Sequence, residues 1–324
     1  LLVYLKTGFP QCYCHLRSSL AKCHCHTSRA RDNFPKMFMF RGILLHVSLE
    51  KVSCFFLVCL LVPGIFIFEM SIVLPSLTKL FNAGITKQAV HIFISLFFFA
   101  NITGNMMMSI LTDTRLKRLD YSQESNDEHQ DSNDSTYCKH CKVHRPAKTW
   151  HCTKCNVCIE RRNHHCIFLS RCIGLYNQRY YILFLCDVAV AMMYATYYNF
   201  YYVTSIFEDG DWKLSAFRII NPWLSMMIPE PLGIRDLCVL FLFCNVGIFV
   251  WSAGLFYYHL NNVVRGVTAY EAKDPSRTNI VEWRRNLLNV FGERWYLAVI
   301  WPFFNSPFWF ISLKIILYSI LTDS

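Results

Sequence analysis

The feature that most constrains the fold is a run of seven cysteines and five histidines within residues 138–172. Cysteines recur in pairs two residues apart, as at Cys138 and Cys141 and again at Cys155 and Cys158. A tight turn between two such thiolates brings both sulfurs onto one metal ion at about 2.3 Å, so the spacing predicts tetrahedral zinc sites. Two closed sites take eight ligands, and the run holds more donors than that. At least one thiol and some imidazoles are therefore expected to be free to react.

Composition indicates that this run belongs to a membrane protein. The 324-residue chain is 54% hydrophobic and 16% aromatic, which favours several membrane spans over soluble domains. We expect no cleavable signal sequence, and the paired Cys/His spacing favours reduced thiols and metal in a cytosol-facing domain over secreted disulfides. The net charge of +10 suits an anionic membrane surface, with nucleic acid as the open alternative.

Four apolar stretches predict four transmembrane helices. They are residues 52–70, 89–111, 180–207 and 237–260. At 1.5 Å per residue, each is about long enough to cross a hydrocarbon core of about 30 Å. Pro63 and Gly64 are expected to kink the first span, and a connection holding Pro75 is expected to follow it. Asp187 in the third span is expected to form an interhelical hydrogen bond.

The distribution of Lys and Arg predicts that both chain ends and the Cys/His run face the cytosol. The predicted organisation is a cytosolic N-terminal region (1–51), spans one and two (52–111), a linker (112–137), a zinc-binding cysteine-rich domain (138–172), spans three and four with a non-cytosolic loop (180–260) and a membrane-associated C-terminal region (261–324). Residues 1–36 are expected to be disordered, or upstream sequence from a gene model. Residues 297–321 are expected to pack on the bundle, with a fifth span as the alternative.

The Cys/His run resembles the cysteine-rich domain of the DHHC family of protein S-acyltransferases. The resemblance rests on the pattern Cys138-x2-Cys141-x9-His151-Cys152-x2-Cys155-x2-Cys158-x4-Asn163-His164-His165-Cys166-x5-Cys172. It implies an all-α polytopic membrane protein in which a cytosolic two-zinc domain lies between spans two and three. It also implies interleaved ligands, with Cys138, Cys141, His151 and Cys158 at one zinc ion and Cys152, Cys155, His165 and Cys172 at the other.

The same resemblance implies the reaction. Cys166 would attack the thioester of a long-chain acyl-CoA such as palmitoyl-CoA, His164 would take its proton, and the acyl group would pass to a cysteine of a membrane-proximal protein. Arg161 and Arg162 would meet the CoA phosphates, or else anionic lipid heads. The expected partners are the bilayer and membrane-associated proteins with cytosolic cysteines, with no nucleic acid. The expected location is an endomembrane, Golgi or endoplasmic reticulum.

Asn163 departs from the family pattern, which has Asp at this position. The carboxylate would orient the adjacent histidine. In a serine hydrolase triad, an Asp to Asn change costs about ten-thousandfold, but Cys-His-Asn arrangements work in cysteine proteases. We therefore expect activity that is retained but reduced. The alternatives are a catalytically weak or inactive zinc-stabilised membrane scaffold, and a membrane-tethered zinc module for nucleic acid.

Two shorter pieces also resemble family motifs. Thr268-Ala269-Tyr270-Glu271 is similar to a Thr-Thr-x-Glu element that follows the fourth span, with Ala269 replacing the second Thr. Residues 286–292 are similar to a C-terminal element with a key asparagine, expected at Asn289. Both are expected to hold the metal domain against the bundle. The Trp-Pro-Phe-Phe-Asn-Ser-Pro run of residues 301–307 resembles the subgroup numbered twenty-four.

Overall fold

The computed structural model of the chain describes residues 49–82, 84–116, 137–207, 211–221, 223, 233–273 and 282–304. The expectations for residues 1–36, for most of the linker and for most of the proposed fifth span lie outside these residues. The described helices are α1 (Leu49–Phe56), α2 (Val62–Phe68), α3 (Leu74–Leu80), α4 (Ile85–Leu111), α5 (Gln178–Ile206), α6 (Trp212–Ile220), α7 (Ile234–Val264), α8 (Trp283–Phe291) and α9 (Trp295–Ile300).

Four helical stretches of the described chain are long and apolar enough to cross a membrane. They are Glu50–Lys79, Ile85–Leu111, Gln178–Ile206 and Ile234–Val264, which we call spans one to four. Span three is the most buried of the four, while span one has few fully buried side chains and is mostly half-buried or exposed. The predicted four-span architecture is confirmed, and the chain is a multi-pass membrane protein.

Span one continues about nine residues past its predicted end. The prediction of a connection at Pro75 was therefore wrong, because this residue lies within the helix. Two π-helical turns, Leu57–Leu61 and Glu69–Val73, join α1, α2 and α3. The Val62 and Leu74 amides, each just before a proline, donate to carbonyls five residues back. A wider turn before Pro63 and Pro75 accommodates the missing N–H without ending the helix.

Polar groups inside the bundle pair between spans. The Asn105 amide in span two donates to the Asp187 carboxylate in span three at 2.9 Å, which confirms the expected role of Asp187. The Glu69 carboxyl in span one accepts hydrogen bonds from Asn199 and Asn245 in spans three and four. Such pairs satisfy polar groups where no water is available, and they fix the helices to each other.

The region between spans two and three is built from three antiparallel hairpins, an addition to the predicted all-helical class. The strands are β1 (Tyr137–Cys138), β2 (Val143–His144), β3 (Trp150–Cys152), β4 (Val157–Ile159), β5 (His164–Cys166) and β6 (Arg171–Ile173), paired in sequence order. Lys142 and Asn156 adopt positive φ in the first two hairpin turns. We call residues 138–172 the metal domain.

The metal domain is bonded directly to the end of span two. The Leu116 amide donates to the Cys158 carbonyl at 2.9 Å, and the Glu160 amide donates to the Thr114 carbonyl at 3.1 Å. The expected linker therefore does not begin at residue 112, because residues 114–116 pair with the backbone around β4. Backbone groups this close to the packed domain are paired within the protein instead of being left to solvent.

Asn177 joins three parts of the chain just before α5. Its side-chain oxygen accepts from the Gly174 amide at 2.9 Å, and its nitrogen donates to the carbonyls of Ser109 at 2.9 Å and Cys172 at 3.0 Å. The residue is fully buried. One side chain therefore ties span two, β6 and the start of span three together.

Replacing this side chain tests the junction. Asn177→Ala leaves buried backbone groups without partners, at a cost of about 1–3 kcal/mol for each orphaned group. We expect a clearly lower thermal unfolding midpoint for the purified protein in detergent, as measured by tryptophan fluorescence. Asn261→Ala, which changes an exposed asparagine, is the control. Equal midpoints for the two variants would contradict the role given to Asn177.

Candidate active site and metal centres

The first group of donors gathers around His151. His151 lies opposite Cys158 in the β3–β4 hairpin. Its Nδ1 atom lies 3.6 Å from the sulfur of Cys138, 3.3 Å from that of Cys141 and 4.0 Å from that of Cys158. The turn between the first two cysteines is closed by the Cys141 amide, which donates to the Cys138 sulfur at 3.5 Å.

The second group gathers around His165 in the same way. His165 lies opposite Cys172 in the β5–β6 hairpin. Its Nδ1 atom lies 3.6 Å from the sulfurs of Cys152 and Cys172 and 3.3 Å from that of Cys155. The Cys155 amide donates to the Cys152 sulfur at 3.4 Å, which repeats the turn of the first group.

Strand geometry explains why neighbours serve different sites. Successive side chains on a β-strand point to opposite faces. His151 and Cys152 are adjacent on β3, so one faces the first group and the other faces the second. On β5, His165 faces the second group, while His164 and Cys166 share the opposite face.

Both groups fit zinc. Each offers three cysteines and one histidine, and all four ligand atoms of a group lie within 4.8 Å of one another. Ligands about 2.0–2.3 Å from a tetrahedral ion are separated by roughly 3.5–3.8 Å, close to the distances above. Sulfur and imidazole donors closing all four positions are typical of structural zinc. The grouping is the one that the sequence predicts.

Cys166 is the one cysteine of the metal domain that belongs to neither group. It is 6% exposed and packs with Tyr181 and Phe184 of span three. Burial raises the pKa of its thiol, so the group needs a base to become a nucleophile. Burial, together with the nearby His259, lowers the pKa of His164 to about 3, so this imidazole is neutral in the free protein and is a weak proton acceptor there.

Asn163 has a partner that the sequence did not predict. Its side-chain oxygen accepts from the Ala269 amide at 3.0 Å, which ties the metal domain to the segment after span four. The Nδ1 atom of His164 and the side-chain nitrogen of Asn163 have no hydrogen-bond partner among the described residues. The Asn163 side chain therefore bonds to Ala269 and makes no hydrogen bond to His164.

Other contacts of the metal domain with that segment are also present. Lys148 of the metal domain donates to the Gly266 carbonyl at 2.6 Å and lies 3.6 Å from the carboxylate of the buried Glu271. Within the segment, Glu271 also accepts from the amide and hydroxyl of Thr268. In the later element, Asn286 donates to the Val264 carbonyl at the end of span four at 3.0 Å. The role expected of Asn289 stays a prediction.

Sequence reasoning missed His259 in span four. Its ring centroid lies 5.1 Å from that of His164 and 5.2 Å from that of Tyr181, and the residue is buried. The three rings form one wall beside the reactive face of β5. The signal that could have found it is a histidine inside an otherwise apolar span, because ionisable residues at membrane depth are rare and usually functional.

The two arginines proposed for phosphate binding lie at the margin of this site. Burial lowers the pKa of Arg161, and the charge of Glu271 opposes that shift. Arg162 interacts with the sulfur of Cys172, and its charge also acts on His164. Both residues are half-buried.

An apolar cavity of about 520 Å³ opens beneath Cys166. All four spans contribute to its lining, which includes Leu57, Phe98, Phe184 and Trp251. Its deep end holds polar groups that are already paired: Glu69 with two asparagines, and His91 with Tyr194. The reactive face of the metal domain therefore caps a space inside the membrane bundle.

The fold and the site define a polytopic membrane protein whose two Cys₃His centres present a free Cys-His pair at a lipid-sized cavity. Residues 131–275 match the family model of the DHHC palmitoyltransferase. The chain is 29% identical to "Probable palmitoyltransferase ZDHHC24" of Danio rerio over 219 residues, which are 67% of this chain and 72% of that protein. It is 27% identical to "Palmitoyltransferase ZDHHC22" of Rattus norvegicus over 252 residues, which are 74% and 88% of the two chains.

A shorter match is to "Palmitoyltransferase erf2" of Schizosaccharomyces pombe, 37% identical over 89 residues, which are 28% of this chain and 25% of that protein. Residues 131–275 therefore form a DHHC palmitoyltransferase domain, and the chain is related to ZDHHC24-type palmitoyltransferases, as the sequence predicts. Protein S-acyl transfer is its activity, and the scaffold alternative is not favoured.

Metal analysis tests the two centres. We expect two zinc ions per purified chain, one for each donor group. Cys158→Ser removes a ligand from the first group alone and should lower the content towards one, as measured by elemental analysis. Cys244→Ser, a change in span four, should leave two. A single zinc ion in the unmodified protein would break the interleaved assignment.

Proposed function

We propose that Cys166 carries a long-chain acyl group, palmitoyl in the first instance, from acyl-CoA to cysteine thiols of membrane-proximal proteins. The observation that carries this proposal is the position of Cys166. It lies outside both donor groups of the metal domain and at the mouth of the apolar cavity. A thiol left free of metal beside a lipid-sized space suits a nucleophile for a lipid thioester.

The reaction proceeds by two thioester exchanges. His164 accepts the proton of Cys166, and the sulfur attacks the carbonyl carbon of the acyl-CoA thioester. A carbon–sulfur bond forms to Cys166, the bond to the CoA sulfur breaks, and His164 returns its proton to CoA, which leaves as a thiol. A thiol of the target protein then gives its proton to His164 and attacks the acyl-Cys166 carbonyl. The new thioester forms, the bond to the Cys166 sulfur breaks, and Cys166 takes the proton back from His164. Because one thioester replaces another, no ATP is needed.

His164 is suited to the base role by its position, and it is neutral before the reaction begins. It lies two residues before Cys166 on β5, so both side chains share one face of the strand. In the free enzyme such contacts are often loose, and they tighten or pass through a water once substrate binds. Cys152, Cys155, His165 and Cys172 would hold one zinc ion, which would close the β5–β6 hairpin and thereby fix the face that carries the pair.

Asn163 is proposed as a positioning residue. Its hydrogen bond to the Ala269 amide holds the start of β5 against the segment after span four. An asparagine cannot stabilise a charged imidazole as the family carboxylate would, so activity is retained but reduced. The structural contact is nevertheless preserved, because an amide oxygen accepts the Ala269 hydrogen bond as a carboxylate oxygen would.

The cavity is proposed to hold the acyl chain. Each buried methylene stabilises a bound chain by about 0.8 kcal/mol, so a long chain gains most. About 15 Å of helix rise separates Tyr181, beside Cys166, from Ala191 lower in span three. The CoA head would remain in water, where Arg161 and Arg162 are proposed to meet its phosphates.

The orientation and location complete the proposal. The metal domain faces the cytosol, because the basic segments lie on the metal-domain side of the spans. The proposed location is an endomembrane, Golgi or endoplasmic reticulum. Acyl-CoA and the accepting cysteines would then be reached from the same side. The proposed partners are membrane-associated proteins and the bilayer, with no nucleic acid.

An adduct experiment tests the nucleophile. Purified protein incubated with labelled palmitoyl-CoA should form a hydroxylamine-sensitive adduct on Cys166, located by mass spectrometry. Cys166→Ser should abolish this adduct, because a serine hydroxyl is a much weaker nucleophile than a thiolate. Cys186→Ser, in the adjoining span, is the matched control and should keep it.

The outcome that contradicts the enzyme is intact zinc content with no adduct. Asn163→Asp sharpens that test, because a carboxylate should raise the adduct rate of an enzyme limited by this residue. A scaffold without activity would show no adduct even with this change. A labelled site other than Cys166 would assign the nucleophile elsewhere.

Filling the cavity tests the acyl site. Ala191→Phe places a ring in the space beneath Cys166. Excluding even two methylenes removes about 1.6 kcal/mol, which lowers adduct formation from palmitoyl-CoA roughly tenfold. A short octanoyl chain should be affected much less. Val250→Phe, on an exposed face of span four, is the control; equal loss with both chain lengths would indicate misfolding and not a filled cavity.

A further inference from the structure

Glu50, in the first turn of span one, bridges two side chains of the metal domain. Its Oε1 atom accepts from Lys154 at 2.7 Å, and its Oε2 atom lies 2.8 Å from Nε2 of His165. The carboxylate side chain is 17% exposed and the His165 side chain is 9% exposed. These bonds join residues more than 100 positions apart, so they form only when span one and the metal domain are packed together.

The histidine in this contact is a ligand of the second donor group. Its Nδ1 atom faces three sulfurs, so a neutral ring carries its proton on Nε2 and donates it to Glu50. A carboxylate on the far nitrogen of a ligating histidine fixes the tautomer, orients the ring and raises its basicity. Glu50 therefore orients a ligand of the second group, although it is not itself one of the four ligands.

A second contact lies on the other side of the reactive cysteine. The Ser53 hydroxyl lies 2.9 Å from the Glu50 carbonyl and 3.0 Å from the Ile167 carbonyl. The first turn of span one thus binds His165 and Ile167, the two neighbours of Cys166 in the sequence. Cys166 is held between two anchors on the same helix.

We infer that Glu50 is a positioning residue that stabilises the second metal centre and fixes the strand of Cys166 against span one. The link to catalysis rests on the proposed function of Cys166. The link to the metal does not, because it depends only on the contact with His165. The two consequences can therefore be measured separately.

The two partners of Glu50 contribute unequally. The Lys154 side chain is 64% exposed, and exposed ion pairs stabilise proteins by no more than about 1 kcal/mol. The His165 contact is largely shielded from water and acts on a metal ligand. Removing Lys154 should therefore change little, whereas removing the carboxylate should loosen the second centre.

Zinc release from the purified full-length chain tests this inference. A chromogenic chelator follows the two ions in the unmodified protein, in Glu50→Ala, in Glu50→Gln and in Lys154→Met. We expect Glu50→Ala to release one of the two ions roughly 10–100-fold faster, the range for loss of an outer carboxylate partner. Glu50→Gln, which keeps an accepting oxygen without the charge, should lie between Glu50→Ala and the unmodified protein. Lys154→Met should match the unmodified protein.

Further variants keep the test decisive. In a Cys158→Ser background, which lacks a ligand of the first group, the remaining ion should show the full effect of Glu50→Ala. If Glu50→Ala does not fold, Glu50→Gln decides: unchanged release overturns the inference. Equal acceleration by Lys154→Met also overturns it, because the exposed ion pair would then explain the effect.

The catalytic consequence is separated by a Cys166→Ser background. Zinc release should respond to Glu50→Ala there as in the unmodified protein, since no acyl group is involved. In the protein with Cys166, Glu50→Ala should lower the rate of adduct formation from palmitoyl-CoA. Accelerated release without an adduct in any variant would contradict the proposed function while leaving the role of Glu50 at the metal intact.

Discussion

The active site depends on the alternation of side chains along two three-residue strands. On β3, one step along the chain moves from a ligand of the first centre to a ligand of the second. On β5, one step moves from a ligand to the reactive cysteine. A shift of register by one residue would exchange these faces, placing Cys166 towards the metal and His165 towards the bundle. Two folded centres are what prevent that shift.

The metal domain is held to the bundle by contacts from every span. Glu50 of span one contacts His165, and residues just after span two pair with the backbone of β4. Asn177, at the start of span three, bonds to span two and to the end of β6. Ala269, after span four, donates to the Asn163 side chain. Each contact is a hydrogen bond to a particular atom and not only apolar packing. Hydrogen bonds are directional, so these contacts fix the position of Cys166 relative to the cavity.

The sequence could predict whatever depends on local spacing. Metal binding follows from the cysteine pairs, the four spans follow from apolar length, and Asp187 follows from the cost of a charge at membrane depth. The assignment of eight ligands to two centres came instead from the family resemblance. Contacts between distant segments could not be predicted this way: Glu50 with His165, Asn163 with Ala269 and His259 with His164. Pro75 was misjudged because a π-helical turn, which absorbs a proline, has no clear sequence signature.

Span one has a consequence of its own. It forms one side of the cavity, yet most of its outward face is exposed to the surroundings of the bundle, and two wide turns interrupt its regular hydrogen bonding. One wall of the cavity, which is the proposed acyl site, is thus a single helix with lipid directly behind it. A mismatch between span one and the thickness of the host bilayer would act on that wall, so the surrounding lipid is part of the cavity's architecture.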